Sequence, residues 1–140
     1  GSVAIEWMRA ARYARAIGIE PRADRRAMAA QNALALGAPK LELIDGTVPD
    51  ALANLDAPDA VFIGGGLSRE TFDAAFAALR PLGRLVANAV TLESEAELIA
   101  LHKLHGGDLV KIQTHRAEPV GRLTGWRPSM PVTQWSLIKR

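Results

Sequence analysis

The sequence predicts an α/β fold built on a mostly parallel sheet, in one domain that spans residues 1–140. Short apolar runs alternate with longer amphipathic stretches, which is the pattern of βαβ units. The run Ala60–Ile63 is apolar throughout, as in a strand that is buried on both faces. No helix is predicted between the last two strands, so we expect them to form an antiparallel edge of the sheet.

The chain opens on a predicted helix over residues 2–13, because Val3, Ile5 and Met8 recur at roughly helical spacing after a glycine. A helix that packs on a parallel sheet normally follows a strand, and no strand precedes this one. We therefore expect the sequence to begin inside a strand-turn-helix unit, with the first strand of the sheet missing.

Strands and helices then alternate along the chain. Pro21 ends the first strand and suits the start of the next helix, which Gly37 ends, and Ser68 is a suitable cap for a later helix. The predicted strands are 14–20, 41–44, 60–63, 84–89, 109–114 and 132–139, and the further predicted helices are 22–36, 49–55, 69–79 and 91–105. Residues 116–131 show no periodicity and are predicted to be irregular.

The composition excludes several classes of protein. The sequence has no cysteine, which excludes a disulfide scaffold and thiolate metal sites, and it has no apolar run near the ~18 residues of a membrane span. We expect a cytoplasmic protein without a membrane partner. The formal net charge is +2 and the arginines are spread along the chain, which favours an acidic ligand over a nucleic-acid surface.

Two features near the start of the chain are typical of a nucleotide site. Glu20 ends a predicted strand, and a carboxylate at that place in a parallel sheet reaches the two hydroxyls of a ribose. Gly1 and Ser2 open a helix, whose exposed N–H groups bind a carboxylate or phosphate. Each residue also has a simpler interpretation, since a Glu at a strand end before Pro is, taken alone, more often a turn or surface residue, and a glycine such as Gly1 is an ordinary helix cap.

Two further loops follow predicted strands. Asp45–Thr47 places polar groups where an adenine ring would face them, although a tight turn explains the same residues. Gly64–Gly66 leaves three consecutive residues without side chains, which permits the close approach of a ligand to the backbone. Because the carboxyl ends of parallel strands share one edge of a sheet, these loops and Glu20 predict a ligand-binding edge.

The histidines do not predict a metal site. His102 and His105 lie three residues apart on a predicted helix, but no third ligand completes a set. His115 is the better candidate for proton transfer, because an unperturbed imidazole titrates near neutral pH.

Basic residues are concentrated late in the chain, together with a flat apolar side chain, Trp126. This set suits a large, flat polyanion, and a solvated basic loop is the alternative. The members of this basic set are Lys111, His115, Arg116, Arg122 and Arg127.

Three runs carry a resemblance to a known family; they are residues 45–52, 62–66 and 82–93. In this order they resemble the decarboxylating precorrin methyltransferases of cobalamin biosynthesis, within the class I S-adenosylmethionine-dependent methyltransferases. The resemblance covers essentially the whole chain and is most specific in Gly64–Gly66 and Asn88–Glu93. The sequence departs from the family at its start. In the family, the glycine-rich loop begins with a strand and further glycines, whereas this sequence matches only the last part of that loop, with Gly1–Glu6.

The resemblance implies a Rossmann-like sheet with an antiparallel edge and S-adenosylmethionine as the cofactor. It implies methylation of a precorrin tetrapyrrole at C15, with loss of carbon dioxide from the acetate on C12, by a protein that forms a homo-oligomer. The residues that it assigns to the cofactor are Gly1, Ser2, Glu20, Gly46, Thr47, Gly64 and Gly65. Those that it assigns to the acceptor side are Asn88, Thr91 and Glu93. The resemblance also implies a substrate with many carboxylates, which Arg116, Arg122 and Arg127 would bind.

Three other functions stay open from the residues. A nicotinamide-dependent oxidoreductase uses the same sheet and the same acidic residue, but it needs phosphate-binding glycines throughout the first turn. An RNA methyltransferase is expected to show a larger basic face with stacking aromatics. A catalytically silent domain would use its apolar residues for subunit contacts, and the candidates are Val120, Leu123, Trp126 and Met130.

Overall fold

The structure is a computed structural model that describes residues 1–140. It divides into two compact units, Gly1–Asp56 and Ala57–Arg140, which are described separately. The α-helices are α1 (Ser2–Ala10), α2 (Ala23–Ala35), α3 (Arg69–Ala78) and α4 (Leu92–His105). The strands are β1 (Ile17–Ile19), β2 (Glu42–Ile44), β3 (Ala60–Ile63), β4 (Arg84–Ala89), β5 (Asp108–Ile112), β6 (His115–Val120), β7 (Leu123–Pro128) and β8 (Val132–Ile138).

The first unit contains one parallel pair of strands and two helices. β1 pairs with β2, so that Ile17 lies opposite Glu42 and Ile19 opposite Ile44. A small core forms around Ile5, which is 1% exposed. The residues that join it are Ala33 and Ala38, with Met8 and Leu41 packed against them. The predicted short helix at 49–55 is a single 3₁₀ turn, Asp50–Leu52.

The second unit contains a four-stranded sheet with the order β3-β4-β8-β5. β3 and β4 are parallel, whereas β8 is antiparallel to both β4 and β5. The predicted antiparallel edge is therefore confirmed, and so is the mixed α/β fold class. None of the helices combines the length and the apolar character that a membrane span requires.

The core of the second unit lies on one face of this sheet. Alternate residues of β4 and β8 are buried, as expected for strands with one covered face. Trp135 is fully buried, lies 5.4 Å from Phe72 of α3 between ring centroids, and donates from Nε1 to the Gly106 carbonyl at 2.7 Å. Leu98 and Leu101 of α4 complete the same cluster.

The prediction of an irregular segment over 116–131 is wrong. β6 and β7 form an antiparallel hairpin in which Val120 lies opposite Leu123. The two-residue turn begins with Gly121, whose φ is +61°, and a type II′ turn takes glycine at that position. Pro119 and Pro128 concealed the strands, because proline is depleted in strands and tolerated only at edges.

Candidate functional site

Glu20 follows β1 directly, and its carboxylate is held at the start of α2. Oε1 accepts a hydrogen bond from the backbone N–H of Arg22 at 3.0 Å. Oε2 lies 3.9 Å from Nη1 of Arg25, too long for a hydrogen bond, and the side chain is 28% exposed. One carboxylate oxygen is therefore fixed by the chain, and the other has no direct hydrogen bond from it.

Arg26 connects the loops that follow β1 and β2. Its Nη1 lies 2.8 Å from the Glu20 carbonyl, 2.8 Å from the Pro21 carbonyl and 3.0 Å from Oδ1 of Asp45. Its Nη2 donates to Oδ2 of Asp45 at 2.8 Å. The sequence analysis missed this residue because its partners lie on two other segments of the chain.

Gly46 and Thr47 lie at the carboxyl end of β2, beside the loop that holds Glu20. A Cβ on Gly46 would lie 3.3 Å from the Cβ of Ala51, so a larger residue would press on the turn that follows. The side chain of Thr47 is exposed, while its carbonyl accepts from the N–H of Ala51 at 3.0 Å. Because β1 and β2 are parallel, both loops lie at the same edge of this pair.

Gly1 and Ser2 are exposed at the start of α1, where Gly1 is the N-cap and supplies no side-chain cap. A Cβ on Gly1 would lie 2.8 Å from the Cβ of Ala29 in α2. The close packing of α1 on α2 therefore explains this glycine without a ligand.

Gly64, Gly65 and Gly66 follow β3 and are all exposed. Gly66 has a φ of +67°, which favours glycine, and a Cβ on Gly64 would lie 2.7 Å from the ring of Phe62. Gly65 is different, because its φ is not positive and a Cβ there would meet nothing within 4 Å. Nothing in the protein itself requires glycine at this position, and the space beside it is open.

The loop after β4 carries the predicted acceptor residues. Asn88 accepts from Nε2 of Gln134 at 3.0 Å through Oδ1. Thr91 caps α4, since its Oγ1 accepts from the N–H of Ser94 at 3.2 Å. The side chain of Glu93 is exposed. Because β3 and β4 are parallel, this loop and Gly64–Gly66 lie at one edge of the sheet.

Glu95 is a further residue in the first turn of α4 that the sequence analysis missed. Its Oε1 accepts from Oγ1 of the buried Thr133 at 3.1 Å and lies 2.5 Å from Nζ of Lys111. These two interactions, with Lys111 the larger contributor, hold the pKa of the Glu95 carboxyl below its ordinary value of 4.5. Glu95 therefore ties the start of α4 to β5 and β8.

The hairpin separates the predicted arginines from Trp126. Arg116 lies opposite Arg127 in register, whereas Trp126 lies opposite Ala117. Since neighbouring residues of a strand point to opposite faces, the two arginines share one face and Trp126 lies on the other. His115 alternates with Arg116 and so lies on the face of Trp126. The arginines and the indole do not form one combined surface on this hairpin.

The other predicted hairpin residues are exposed, and Arg122 lies in the turn between the strands. Arg127 pairs with Glu118 at 3.0 Å. In α4, Nε2 of His102 lies 3.2 Å from the Gly107 carbonyl, and the ring of His105 packs 4.8 Å from that of Phe72 between centroids. The structure contains no group of three or more His, Asp or Glu side chains placed to hold a metal ion.

Comparison with known proteins finds one family and close relatives. A family model described as "Precorrin methyltransferase domain" matches residues 1–139. The chain is 50% identical over 140 residues to the precorrin-6Y C(5,15)-methyltransferase (decarboxylating) of a Sinorhizobium species, covering 99% of this chain and 34% of that protein. It is 40% identical over 141 residues to the protein of the same name from Mycobacterium tuberculosis, covering 100% of this chain and 36% of that protein.

A solved structure has the same architecture. The crystal structure of the C-terminal domain of precorrin-6Y C5,15-methyltransferase from Rhodobacter capsulatus superposes with a TM-score of 0.89 at 49% identity, covering 99% of this chain and 75% of that chain. The present chain thus spans about a third of the length of the curated relatives that it matches.

Proposed function

This chain belongs to the family of precorrin methyltransferase domains, and we propose that it transfers a methyl group from S-adenosylmethionine to C15 of a precorrin tetrapyrrole, with loss of carbon dioxide from the C12 acetate. The observation that carries the proposal is the family match over residues 1–139. The curated relatives at 50% and 40% identity are named as decarboxylating enzymes, which supports the decarboxylation.

In the first unit, we assign the nucleoside part of the cofactor to Glu20, Gly46 and Thr47. Oε2 of Glu20 has no direct hydrogen bond from the chain, and this supports a role in accepting hydrogen bonds from ribose hydroxyls, because a carboxylate oxygen has two acceptor sites. Gly46 and Thr47 follow the adjacent parallel strand and border the adenine in this assignment. Gly1 and Ser2 offer the N–H groups at the start of α1 to the methionine end.

In the second unit, we assign Gly64 and Gly65 to the methionine end of the cofactor. The open space beside Gly65 fits a ligand that approaches the backbone closely, since a side chain at this position would fill it. Asn88, Thr91 and Glu93 lie at the same edge of the sheet and are assigned to the acceptor. In this assignment, the loop after β3 has no side chains that would exclude the donor, and the loop after β4 offers polar side chains to the acceptor.

The reaction places few demands on side-chain chemistry. A bound sulfonium supplies an electrophilic methyl group, so the protein needs no nucleophile of its own. Its residues must hold the reacting carbon in line with the donor and exclude water. The fixed carboxylate of Glu20 and the capped start of α4 at Thr91 are suited to holding ligands in this way.

The hairpin supports recognition of a substrate rich in carboxylates. Arg116 and Arg127 face each other across the strands, and like charges directly opposite each other are destabilising. Glu118 pairs with Arg127. A carboxylate bound between the two arginines would relieve their repulsion and accept a forked hydrogen bond from a guanidinium. Arg122, in the turn, is the third arginine that we assign to the substrate.

The decarboxylation leaves an electron pair that the conjugated ring accepts, and protonation then completes the step. His115 is our candidate for the proton donor, because its imidazole is exposed and an imidazole can both give up and accept a proton. It lies on the face of the hairpin opposite to Arg116 and Arg127, so it would serve a substrate bound to those arginines only from another copy of the hairpin.

We also propose that the protein forms a homo-oligomer through the hairpin. The supporting observation is the exposure of four large apolar side chains in a short segment, where an isolated two-stranded sheet is marginally stable. Their exposed fractions are 64% for Val120, 78% for Leu123, 75% for Trp126 and 64% for Met130. Light scattering should find an oligomer, and Trp126→Ser should shift it towards the monomer; a monomeric native protein would refute the proposal.

The cofactor assignment is tested by titration calorimetry with two ligands. S-adenosylhomocysteine should bind with a micromolar or lower Kd, and NADH should give no binding heat. Binding of NADH without binding of S-adenosylhomocysteine would replace the methyltransferase proposal with that of a nicotinamide-dependent oxidoreductase.

A further inference from the structure

Arg26 makes an unusual set of contacts for a helix arginine near the surface. It donates four hydrogen bonds, to two successive carbonyls after β1 and to both carboxylate oxygens of Asp45 after β2. Its side chain is only 20% exposed, whereas that of Asp45 is 70% exposed. The guanidinium is therefore the fixed centre of this cluster, and two loops are attached to it.

The ion pair of Arg22, at the start of α2, lacks these features. Arg22 pairs with Asp24, two residues away on the same segment, and both side chains are more than half exposed. Exposed pairs of this kind contribute little to stability or geometry. Arg26 instead joins segments 19 residues apart in sequence. Breaking the Arg26 cluster would therefore change the separation of two loops, whereas breaking the Arg22 pair would not.

We infer that Arg26 is a positioning residue for the nucleoside half of the cofactor, acting by holding the loop Glu20–Pro21 and the loop Asp45–Thr47 at a fixed separation. The inference rests on the proposed use of S-adenosylmethionine, because these loops carry the residues assigned to ribose and adenine. Arg26 itself does not contact the cofactor in this arrangement. It places the backbone from which Glu20 and Gly46 reach the ligand.

The cluster also assigns a role to Asp45. Both of its carboxylate oxygens accept from Arg26, so Asp45 is the residue through which its loop is held to the guanidinium. The proposed contacts to the base in this loop come from Gly46 and Thr47. Lysine could not replace Arg26, since an ammonium is a compact point donor and cannot span a carboxylate and two carbonyls as a planar fork does.

The test compares Arg26→Met and Arg26→Lys with a control, Arg9→Met, which removes an exposed arginine of the same unit that pairs with Glu6. Titration calorimetry measures the Kd of S-adenosylhomocysteine and of 5′-methylthioadenosine, which keeps the nucleoside and lacks the amino acid. Both Arg26 variants should raise both Kd values by about tenfold and by the same factor, a loss of about 1.4 kcal/mol, which is slightly less than one hydrogen bond to a charged group contributes. Arg9→Met should leave both values unchanged.

Steady-state kinetics then separate positioning from a purely structural role. The Arg26 variants should raise the KM for S-adenosylmethionine and leave kcat unchanged, whereas a smaller fraction of folded enzyme would lower kcat. If Arg26→Met does not fold, Asp45→Asn removes the ion pair and keeps the shape of the side chain, and the same rise in KM is expected.

Unchanged Kd and KM values in folded Arg26 and Asp45 variants would overturn the inference and leave the proposed function intact. A loss of affinity confined to S-adenosylhomocysteine, with normal binding of 5′-methylthioadenosine, would also overturn it. Failure of the native protein to bind either ligand would refute the cofactor assignment and this inference with it.

Discussion

Replacement of Glu20 by glutamine isolates the charge of this residue from its structural role. The amide oxygen of glutamine can still accept from the N–H of Arg22, now 3.0 Å from Oε1, so the turn that leads into α2 should be kept. The carboxylate charge near the ribose is lost. Oε2 has no direct hydrogen bond from the protein. In the proposed site, the charge of Glu20 therefore contributes one charged hydrogen bond to the ligand.

The magnitude follows from that single lost interaction. A hydrogen bond to a charged group contributes about 1.5 to 3 kcal/mol, so the Kd of S-adenosylhomocysteine should rise about 10- to 150-fold. The melting temperature should change little, because the hydrogen bond to the N–H of Arg22 is retained. Glu20→Ala should weaken binding as much and also lower the melting temperature, since it removes the acceptor for Arg22.

Titration calorimetry and thermal unfolding measure these two quantities on the same samples. Glu42→Gln is the matched control, because Glu42 is a carboxylate of the same unit that is already paired with Arg15. An unchanged Kd in folded Glu20→Gln would refute the ribose assignment. An equal rise in Glu42→Gln would show that the loss reflects net charge alone.

Four further results are expected. Arg127→Gln should raise the KM for the tetrapyrrole about tenfold with little change in cofactor Kd, whereas Arg69→Gln should change neither; the reverse pattern would contradict the carboxylate role. His115→Gln should remove the limb of the pH-rate profile that reports the proton donor, and an unchanged profile would exclude His115. Lys139→Met should destabilise the second unit by about 2 kcal/mol in urea unfolding, since Nζ donates to three carbonyls at the end of α3; no loss would contradict this. Because the pKa of Glu95 is lowered in the folded protein, its carboxylate should stabilise the fold above pH 4.5, and this stabilisation should be lost as the pH falls through the lower pKa of the folded state. The melting temperatures of the native protein and of Glu95→Gln should therefore converge in acid, and a constant difference between them would refute this.

Local patterns predicted most of the fold. Ala60–Ile63 is a parallel strand as its apolar run indicated, and the last two strands of the main sheet pair antiparallel because no helix separates them. Ser68 caps α3 by accepting from the N–H of Thr71 at 3.1 Å. These features depend on residues close together in sequence, which is why periodicity and capping reveal them.

The parts that the sequence analysis missed depend on contacts between distant segments. Arg26 and Asp45 are separated along the chain, and each alone is typical of a solvated surface. Glu95 likewise meets Thr133 only when β8 lies beside β4. The hairpin β6–β7 was missed because its prolines disfavour strands locally, although the Gly121 turn between apolar Val120 and Leu123 was a usable signal.

The proposed site residues have different degrees of structural support. Gly65 has no structural requirement for glycine, which favours a ligand beside it, whereas Gly1 is explained by its contact with Ala29. Glu20 combines a held carboxylate with one oxygen left without a direct hydrogen bond. A sequence pattern identifies such residues as candidates, but only the surrounding contacts separate a ligand role from a packing role.

The most direct test of the account is the fate of a labelled methyl group. The protein is incubated with a precorrin and S-adenosylmethionine carrying a ¹³C methyl, and the product is analysed by mass spectrometry and NMR. We predict that the tetrapyrrole gains one labelled methyl at C15 and loses the carboxyl group of its C12 acetate as carbon dioxide. Recovery of the tetrapyrrole without the label, from folded protein that has bound it, would contradict the account.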